Sequence, residues 1–349
     1  MVTFARVFAM PLVVYFFYQP GAGQAIALAL GILVGATDFV DGWLARRQGP
    51  TLLGGLIDPI ADKVFVAVVY MPFAHAGYVP RWTIAALFTR ELLITALRTA
   101  YLLRGVNMKT SYLGKLKTWF QMQGAGMIFT WILVGHEGMW IPIVVMTALS
   151  VTGTLVHFAI KRTLWRGMLM WAMTSLLFLA IYDWGQYAAL TATVVLVLIP
   201  TWLSAADYFI GGIRQLRLAS QGLLAADRVR IAASLALPAA ITWLLYLDVH
   251  VTSAWGLVFI LSSELAIGGL DNLLAAHAAT ASAKNWGART LGSVALLAAA
   301  IALHYAGTPG ATPWLIWSAV GITIAGGTFE FARGADYYLD KRVRAAAMR

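Results

Sequence analysis

The chain has 349 residues, of which 60% are hydrophobic and 11% charged, and its mean hydropathy of +0.77 excludes an ordinary soluble domain. The pattern implies an all-α polytopic membrane protein with room for about twelve transmembrane helices of roughly 20 residues, and the absence of cysteine excludes disulfides and thiol chemistry. The net charge of +10 does not indicate nucleic acid: most Lys and Arg fall on one side of the expected spans, the positive-inside pattern, with anionic membrane lipids as their partners.

The first expected span runs from Phe4 to Tyr18. Its start, MVTFARVFAMPLVVYFFYQP, lacks a small-residue cleavage site, so no cleaved signal peptide is expected. The second span, Ala25 to Arg47, ends in DFVDGWLARR, and the third, Gly54 to Ala76, begins with GGLIDPIADK. Four carboxylates, Asp38, Asp41, Asp58 and Asp62, therefore sit near the cytoplasmic ends of two consecutive helices. An ionised Asp in a membrane helix costs about 2.5–3.5 kcal/mol, so something must compensate them.

Spacing points to a metal. Asp38 and Asp41 are three apart, Asp58 and Asp62 four apart, so each pair projects from one helix face. Oxygen ligands without His or Cys nearby select Mg²⁺, Mn²⁺ or Ca²⁺ over zinc. Gly42, Gly54 and Gly55 let a ligand approach the backbone, and Arg46 is placed to meet an anion. Lys63 follows Asp62 as a candidate counter-ion, although a helical neighbour points about 100° away. The alternative is a set of wetted helix ends, with Asp58 as an N-cap before Pro59.

The pattern D-x-x-D-G-x-x-A-R followed by G-x-x-x-D-x-x-x-D resembles the motif of the CDP-alcohol phosphotransferases, membrane enzymes of phospholipid synthesis. It matches at Asp38, Asp41, Gly42, Ala45, Arg46, Gly54, Asp58 and Asp62. Seven residues separate Arg46 from Gly54, one or two fewer than is usual in the family, which puts the shape of the nucleotide pocket in question. The resemblance implies two divalent ions, Mg²⁺ or Mn²⁺, on Asp38, Asp41, Asp58 and Asp62, with Asp62 also the general base. It implies that Asp38, Gly42, Ala45, Arg46 and Gly54 line the CDP and diphosphate site.

The fourth span, Trp82 to Leu103, contains FTRELLITALR. Charges at that depth face a cavity or pair with one another; Glu91 and Arg98, two turns apart, could form a structural pair. R-E-L-L-I-T-A-L-R and the later G-K-L-K-T-x-x-Q resemble segments of the phosphatidylglycerophosphate synthase branch. That resemblance makes Arg90, Arg98, Lys115 and Lys117 the candidate contacts for the phosphate of the acceptor, glycerol 3-phosphate. Spans five and six, Leu116 to Val134 and Met139 to Ile160, complete a six-helix catalytic domain over residues 1–163.

Residues 164–349 form a further six-helix bundle outside the resemblance. RIAASLALPAAITWLLY from Arg230 is comparable with RVFAMPLVVYFFY from Arg6, and GGLDNLLAAHA can be laid on DFVDGWLARRQ. That alignment puts Gly268 on Asp38, Asp271 on Asp41, Asn272 on Gly42 and Ala276 on Arg46, so the half is either a decayed duplicate or an appended bundle. The helix ends TGTLVHFAIKR, AADYFIGGIRQLR and FEFARGADYYLDKR read as aromatic and basic interface anchors. Glu264, Asp271 and Glu330 form no quartet, so no second metal site is assigned; the six scattered His residues make no ligand pair.

By resemblance, the expected activity is transfer of a phosphatidyl group from CDP-diacylglycerol to an alcohol, glycerol 3-phosphate first, with release of CMP. Phosphatidylglycerol, as in a cardiolipin synthase, and inositol phosphate are the alternative acceptors. A transporter would want acids at mid-bilayer in both halves, and an inactive scaffold would not need the quartet. Enzymes of the family are commonly homodimers, so the protein is expected as a homodimer or as an internal pseudo-dimer. It is expected in the bacterial inner membrane, with both termini and the active site cytoplasmic.

Overall fold

The computed structural model describes residues 2–48, 52–106, 112–218, 222–276 and 286–339, with side chains described there except at 2–5, 7, 38–59, 166, 218, 273, 274, 276, 286–288 and 333–339. Long apolar runs without strand signals give a helical protein, because a helix satisfies every interior backbone group within its own segment. The described residues form α1 (Val2–Phe17), α2 (Ala22–Gln48), α3 (Leu52–His75), α4 (Trp82–Leu102), α5 (Tyr112–Lys161), α6 (Arg166–Ile181), α7 (Gln186–Leu218), α8 (Ala225–Tyr246), α9 (Val251–Ala276), α10 (Trp286–Tyr305) and α11 (Thr312–Leu339), and no strand.

α5 is two helices joined at a kink, so the expected fifth and sixth spans meet at Gly135. Its φ of 73° is left-handed, which glycine adopts without a Cβ penalty. The junction is fixed by rings: His136 stacks on Tyr182 at 4.8 Å and lies 5.8 Å from Trp131. The hydroxyl of Tyr182 donates to the His136 carbonyl at 3.1 Å.

Among the described residues six helices, α5 to α9 and α11, are long and apolar enough to cross a bilayer. α4 falls outside that set because it carries Arg90, Glu91 and Arg98. One hydrophobic core unites the two halves of the chain. Phe129 meets Phe17 and Phe73 edge to face at 5.8 and 4.8 Å, Phe17 lies tilted against Phe73 at 5.7 Å, and the same core continues through Leu237, Ile241, Leu257 and Leu261 of α8 and α9. α9 packs on α3, α8 and α9 pack on α4, and α7 packs on both α4 and α5. Ion pairs clasp the halves at both ends of this interface, Arg81 with Asp248 at one and Arg104 with Asp227 at the other.

Candidate functional site: a cationic cavity beside Asp62

The aspartate motif spans the end of α2 and the start of α3. α3 begins at Leu52, so Asp58 lies inside a helix and is not its N-cap. The side chains of Asp38, Asp41, Ala45, Arg46 and Asp58 lie outside those described, as do the surroundings of Gly42 and Gly54. Among described side chains no three acidic or His groups cluster in the manner of a metal site.

Asp62 is described, and its surroundings define the site. Arg6 on α1 is buried and donates from Nη1 to Asp62 Oδ1 at 3.1 Å and from Nε to Thr37 Oγ1 at 3.2 Å. Thr37 immediately precedes Asp38, so one guanidinium ties α1, α2 and α3 together at the level of the motif. Lys63, the counter-ion considered from sequence, instead donates to Thr95 Oγ1 on α4 at 2.8 Å, as its 100° rotation around the helix requires.

Asp62 and Lys63 open onto a cavity of about 290 Å³ between α3, α4, α5, α7 and α9. α4 contributes Arg90, Glu91, Thr95 and Arg98, and α5 contributes Lys117. Glu91 is buried and accepts from Arg90 Nη1 at 3.2 Å, Lys117 Nζ at 2.8 Å and Gln121 Nε2 at 3.3 Å. A buried carboxylate without such partners would be strongly unfavourable, so Glu91 holds the two cations in place. The pairing of Glu91 with Arg98 expected as an alternative is not formed. Arg98 lies over the Tyr208 ring, 5.7 Å from its centroid, a cation–π arrangement.

Four cations, Lys63, Arg90, Arg98 and Lys117, thus line the cavity with two carboxylates, Asp62 and Glu91. The surplus is positive, and such a pocket attracts an anion. Lys115 is exposed and does not line this cavity. Sequence reasoning missed Arg6, Lys63 as a cavity residue, and three residues of the second half, Ser204, Tyr208 and Asn272. Tyr208 had been grouped with interface anchors, yet it is buried, while its neighbours Phe209 and Ile210 are exposed. The signal that finds it is the stripe Thr201, Ser204, Ala205, Tyr208 and Gly212, one face of a helix.

A second, apolar cavity of about 130 Å³ lies on α2, α3 and α5 between Leu28, Gly31, Gly35, Phe65, Gly126 and Phe129. It runs beside the same helices that carry the aspartates. In the second half, two of the isolated acids of the sequence, Glu264 and Glu330, are compensated from within. Arg289 on α10 binds Glu264 at 2.9 and 3.0 Å and Glu330 at 2.6 Å, and Thr290 donates to Glu264 at 2.8 Å. That cluster is a buried ion-pair network linking α9, α10 and α11.

The fold and this site define a helical membrane protein with a cation-lined cavity adjoining a carboxylate motif on two consecutive helices. The profile described as CDP-alcohol phosphatidyltransferase matches residues 1–153. A CDP-diacylglycerol–glycerol-3-phosphate 3-phosphatidyltransferase of Shigella flexneri serotype 5b is 34% identical over 171 residues, covering 47% of this chain and 91% of that protein. The enzyme of the same name from Rickettsia typhi is 32% identical over 151 residues, covering 40% of this chain and 84% of that protein. No solved structure matches. The chain belongs to the CDP-alcohol phosphatidyltransferase family, and the profile match ends within α5, leaving α6 to α11 beyond it.

Proposed function

We propose that the protein transfers the phosphatidyl group of CDP-diacylglycerol to glycerol 3-phosphate and releases CMP. The observation that carries this reading is the cationic cavity that opens directly beside Asp62. An alcohol that already carries a phosphate suits Arg98, Lys117, Arg90 and Lys63, because charge-assisted hydrogen bonds are the strong ones. An uncharged alcohol would leave Lys63 and Arg98, which no described carboxylate pairs with, without an anionic partner. Lys115, exposed next to Gly114 of the cavity wall, remains a candidate for the approach of the anion to it.

The donor set fits divalent metal: Asp38, Asp41, Asp58 and Asp62 offer only hard oxygen ligands. Mg²⁺ or Mn²⁺ held by these residues would neutralise charge on the diphosphate during in-line displacement. Gly42, Ala45, Arg46 and Gly54 line the CDP and diphosphate side of the motif in this reading. Asp62 faces the acceptor cavity and accepts the proton of the attacking hydroxyl. Attack by that oxygen on the phosphatidyl phosphorus forms the new P–O bond and breaks the bond to the CMP oxygen. Arg6 orients the Asp62 carboxylate for this step. The groove on α2, α3 and α5 takes an acyl chain of the donor lipid, since it is apolar and continues the helix faces that carry the motif.

The reading is tested with the purified chain, CDP-diacylglycerol and a panel of acceptors. Acceptor-dependent CMP release that favours glycerol 3-phosphate supports it; equal release with water or unphosphorylated glycerol removes it. Residues 1–163 form the catalytic part in this reading. The second half covers α3 and α4 in the manner of a partner subunit, which makes a single chain sufficient.

A further inference from the structure

The acceptor cavity is not built by the family-matched residues alone. We infer that α7 and α9, which lie beyond the family match, complete the acceptor pocket, with Tyr208 as a specificity-determining residue and Ser204 as a positioning residue for Arg90.

Ser204 Oγ accepts from Arg90 Nη2 at 2.6 Å, and the carbonyl of Thr201 accepts from Arg90 Nε at 3.0 Å. With Nη1 taken by Glu91, the guanidinium is fixed on three sides, two of them by α7. Ser204 is itself oriented, donating to the Thr201 carbonyl at 2.8 Å. Tyr208, one turn further along α7, lies on the cavity wall beneath Arg98 and stacks on Tyr101 of α4 at 5.7 Å and 28°. Asn272 of α9 closes the same wall. Its carboxamide oxygen accepts from Thr99 Oγ1 at 2.9 Å, and its NH₂ group keeps two donors.

Two of the four cavity cations are therefore aimed by side chains from the second half. A small phosphorylated alcohol held by Arg98, with Arg90 fixed beside it, touches a wall made of Tyr208 and Asn272. The size and polarity of that wall decide which alcohol fits, since one misfit or unpaired polar group discriminates strongly between analogues.

This inference rests on the proposed phosphatidyl transfer, and the experiment separates the two. The full-length chain and its Ser204→Ala, Ser204→Thr, Tyr208→Phe and Tyr208→Ala variants are assayed for CMP release. KM is measured for glycerol 3-phosphate and separately for CDP-diacylglycerol. Thermal unfolding is followed with and without glycerol 3-phosphate. Ser204→Ala and Tyr208→Ala should raise the acceptor KM about tenfold or more, the scale of one hydrogen bond to a charged group. The KM for CDP-diacylglycerol should stay near wild type; Tyr208→Ala also opens a cavity in the buried cluster around Tyr101 and lowers the unliganded unfolding midpoint, so every KM is compared at a temperature where all variants are folded. Ser204→Thr keeps the hydroxyl and restores the acceptor KM, and Tyr208→Phe keeps the ring under Arg98 and changes it less than Tyr208→Ala.

Wild-type acceptor KM and wild-type stabilisation by glycerol 3-phosphate in both alanine variants overturn the inference and leave the transfer reading standing. Stabilisation of the wild-type chain that is lost in the variants, without acceptor-dependent CMP release by any of them, supports the pocket and overturns the transfer reading. A wild-type chain that shows neither response overturns both.

Discussion

At the level of single residues, the site is a problem of compensated charge. Glu91 binds Arg90 and Lys117, Arg6 binds Asp62, and Lys63 and Arg98 are held by a hydroxyl and a ring. The last two are the cations least committed to carboxylates among those lining the cavity, so they are the ones most available to an incoming anion. Arg98→Ala should raise the acceptor KM about tenfold or more, read in CMP release at varied glycerol 3-phosphate, with the KM for CDP-diacylglycerol unchanged. Asp62→Asn keeps the shape but removes the proton acceptor. It should lower kcat by about 10²–10⁴ while the protein still reaches the membrane and unfolds near the wild-type temperature. Full activity in that variant would remove Asp62 from the chemistry.

The charged residues of the cavity were legible in the sequence, because acids and bases inside apolar runs stand out. The partners were not legible. A carboxylate's choice between Arg98, seven residues on, and Lys117 on another helix is made by tertiary packing, which periodicity does not report.

At the level of helices, close approach decides where the cavity walls stand. A Cβ added to Gly212 of α7 would lie 2.1 Å from the Tyr101 ring, and that ring stacks on Tyr208. Gly212→Ala should therefore displace the Tyr101–Tyr208 pair and raise the acceptor KM without a residue of the cavity being changed. An unaltered KM would show that the wall tolerates the shift. On the donor side, Gly126→Phe would fill the groove on α2, α3 and α5 and should raise the KM for CDP-diacylglycerol while sparing that for the acceptor.

The Arg289 cluster makes a stability prediction of the opposite kind. Arg289→Met leaves Glu264, which is fully buried, without its cation and should destabilise the protein by about 3–5 kcal/mol. Adding Glu264→Gln and Glu330→Gln should recover much of that loss in thermal unfolding, because breaking half an ion pair is worse than removing all of it. In the sequence these acids looked isolated, since their common partner lies on a third helix. The interface-anchor reading of α7 fails at Tyr208 for a related reason: its aromatic and basic residues match those of an interface anchor, and only the inward stripe from Thr201 to Gly212 separates the buried Tyr208 from its exposed neighbours.

At the level of the whole molecule, one core crosses the boundary between the family-matched half and the rest. The boundary at 163 was drawn where a resemblance ends, not where contacts end. α8 and α9 cover α3 and α4, and Gly269 of α9 lies so close to Ile60 of α3 that an added Cβ would stand 2.7 Å from it. The halves are therefore expected to behave as one unfolding unit, and mass measurement in detergent should give one chain per particle. A dimer formed through residues 1–163 would contradict the reading of the second half as a built-in partner. Composition made the helical membrane class legible, and the gap between the expected fifth and sixth spans holds the break in α5 at Gly135. How the second half docks was not legible, because apolar helices of similar composition fit one another in many arrangements.

The most direct measurement is CMP release by the purified full-length chain from CDP-diacylglycerol, with glycerol 3-phosphate, glycerol, inositol phosphate or phosphatidylglycerol as acceptor, each with Mg²⁺, with Mn²⁺ and with chelator. The cationic cavity beside Asp62 predicts release that requires a divalent ion and is fastest with glycerol 3-phosphate. Release that persists in chelator, or that ignores the phosphate on the acceptor, would contradict it.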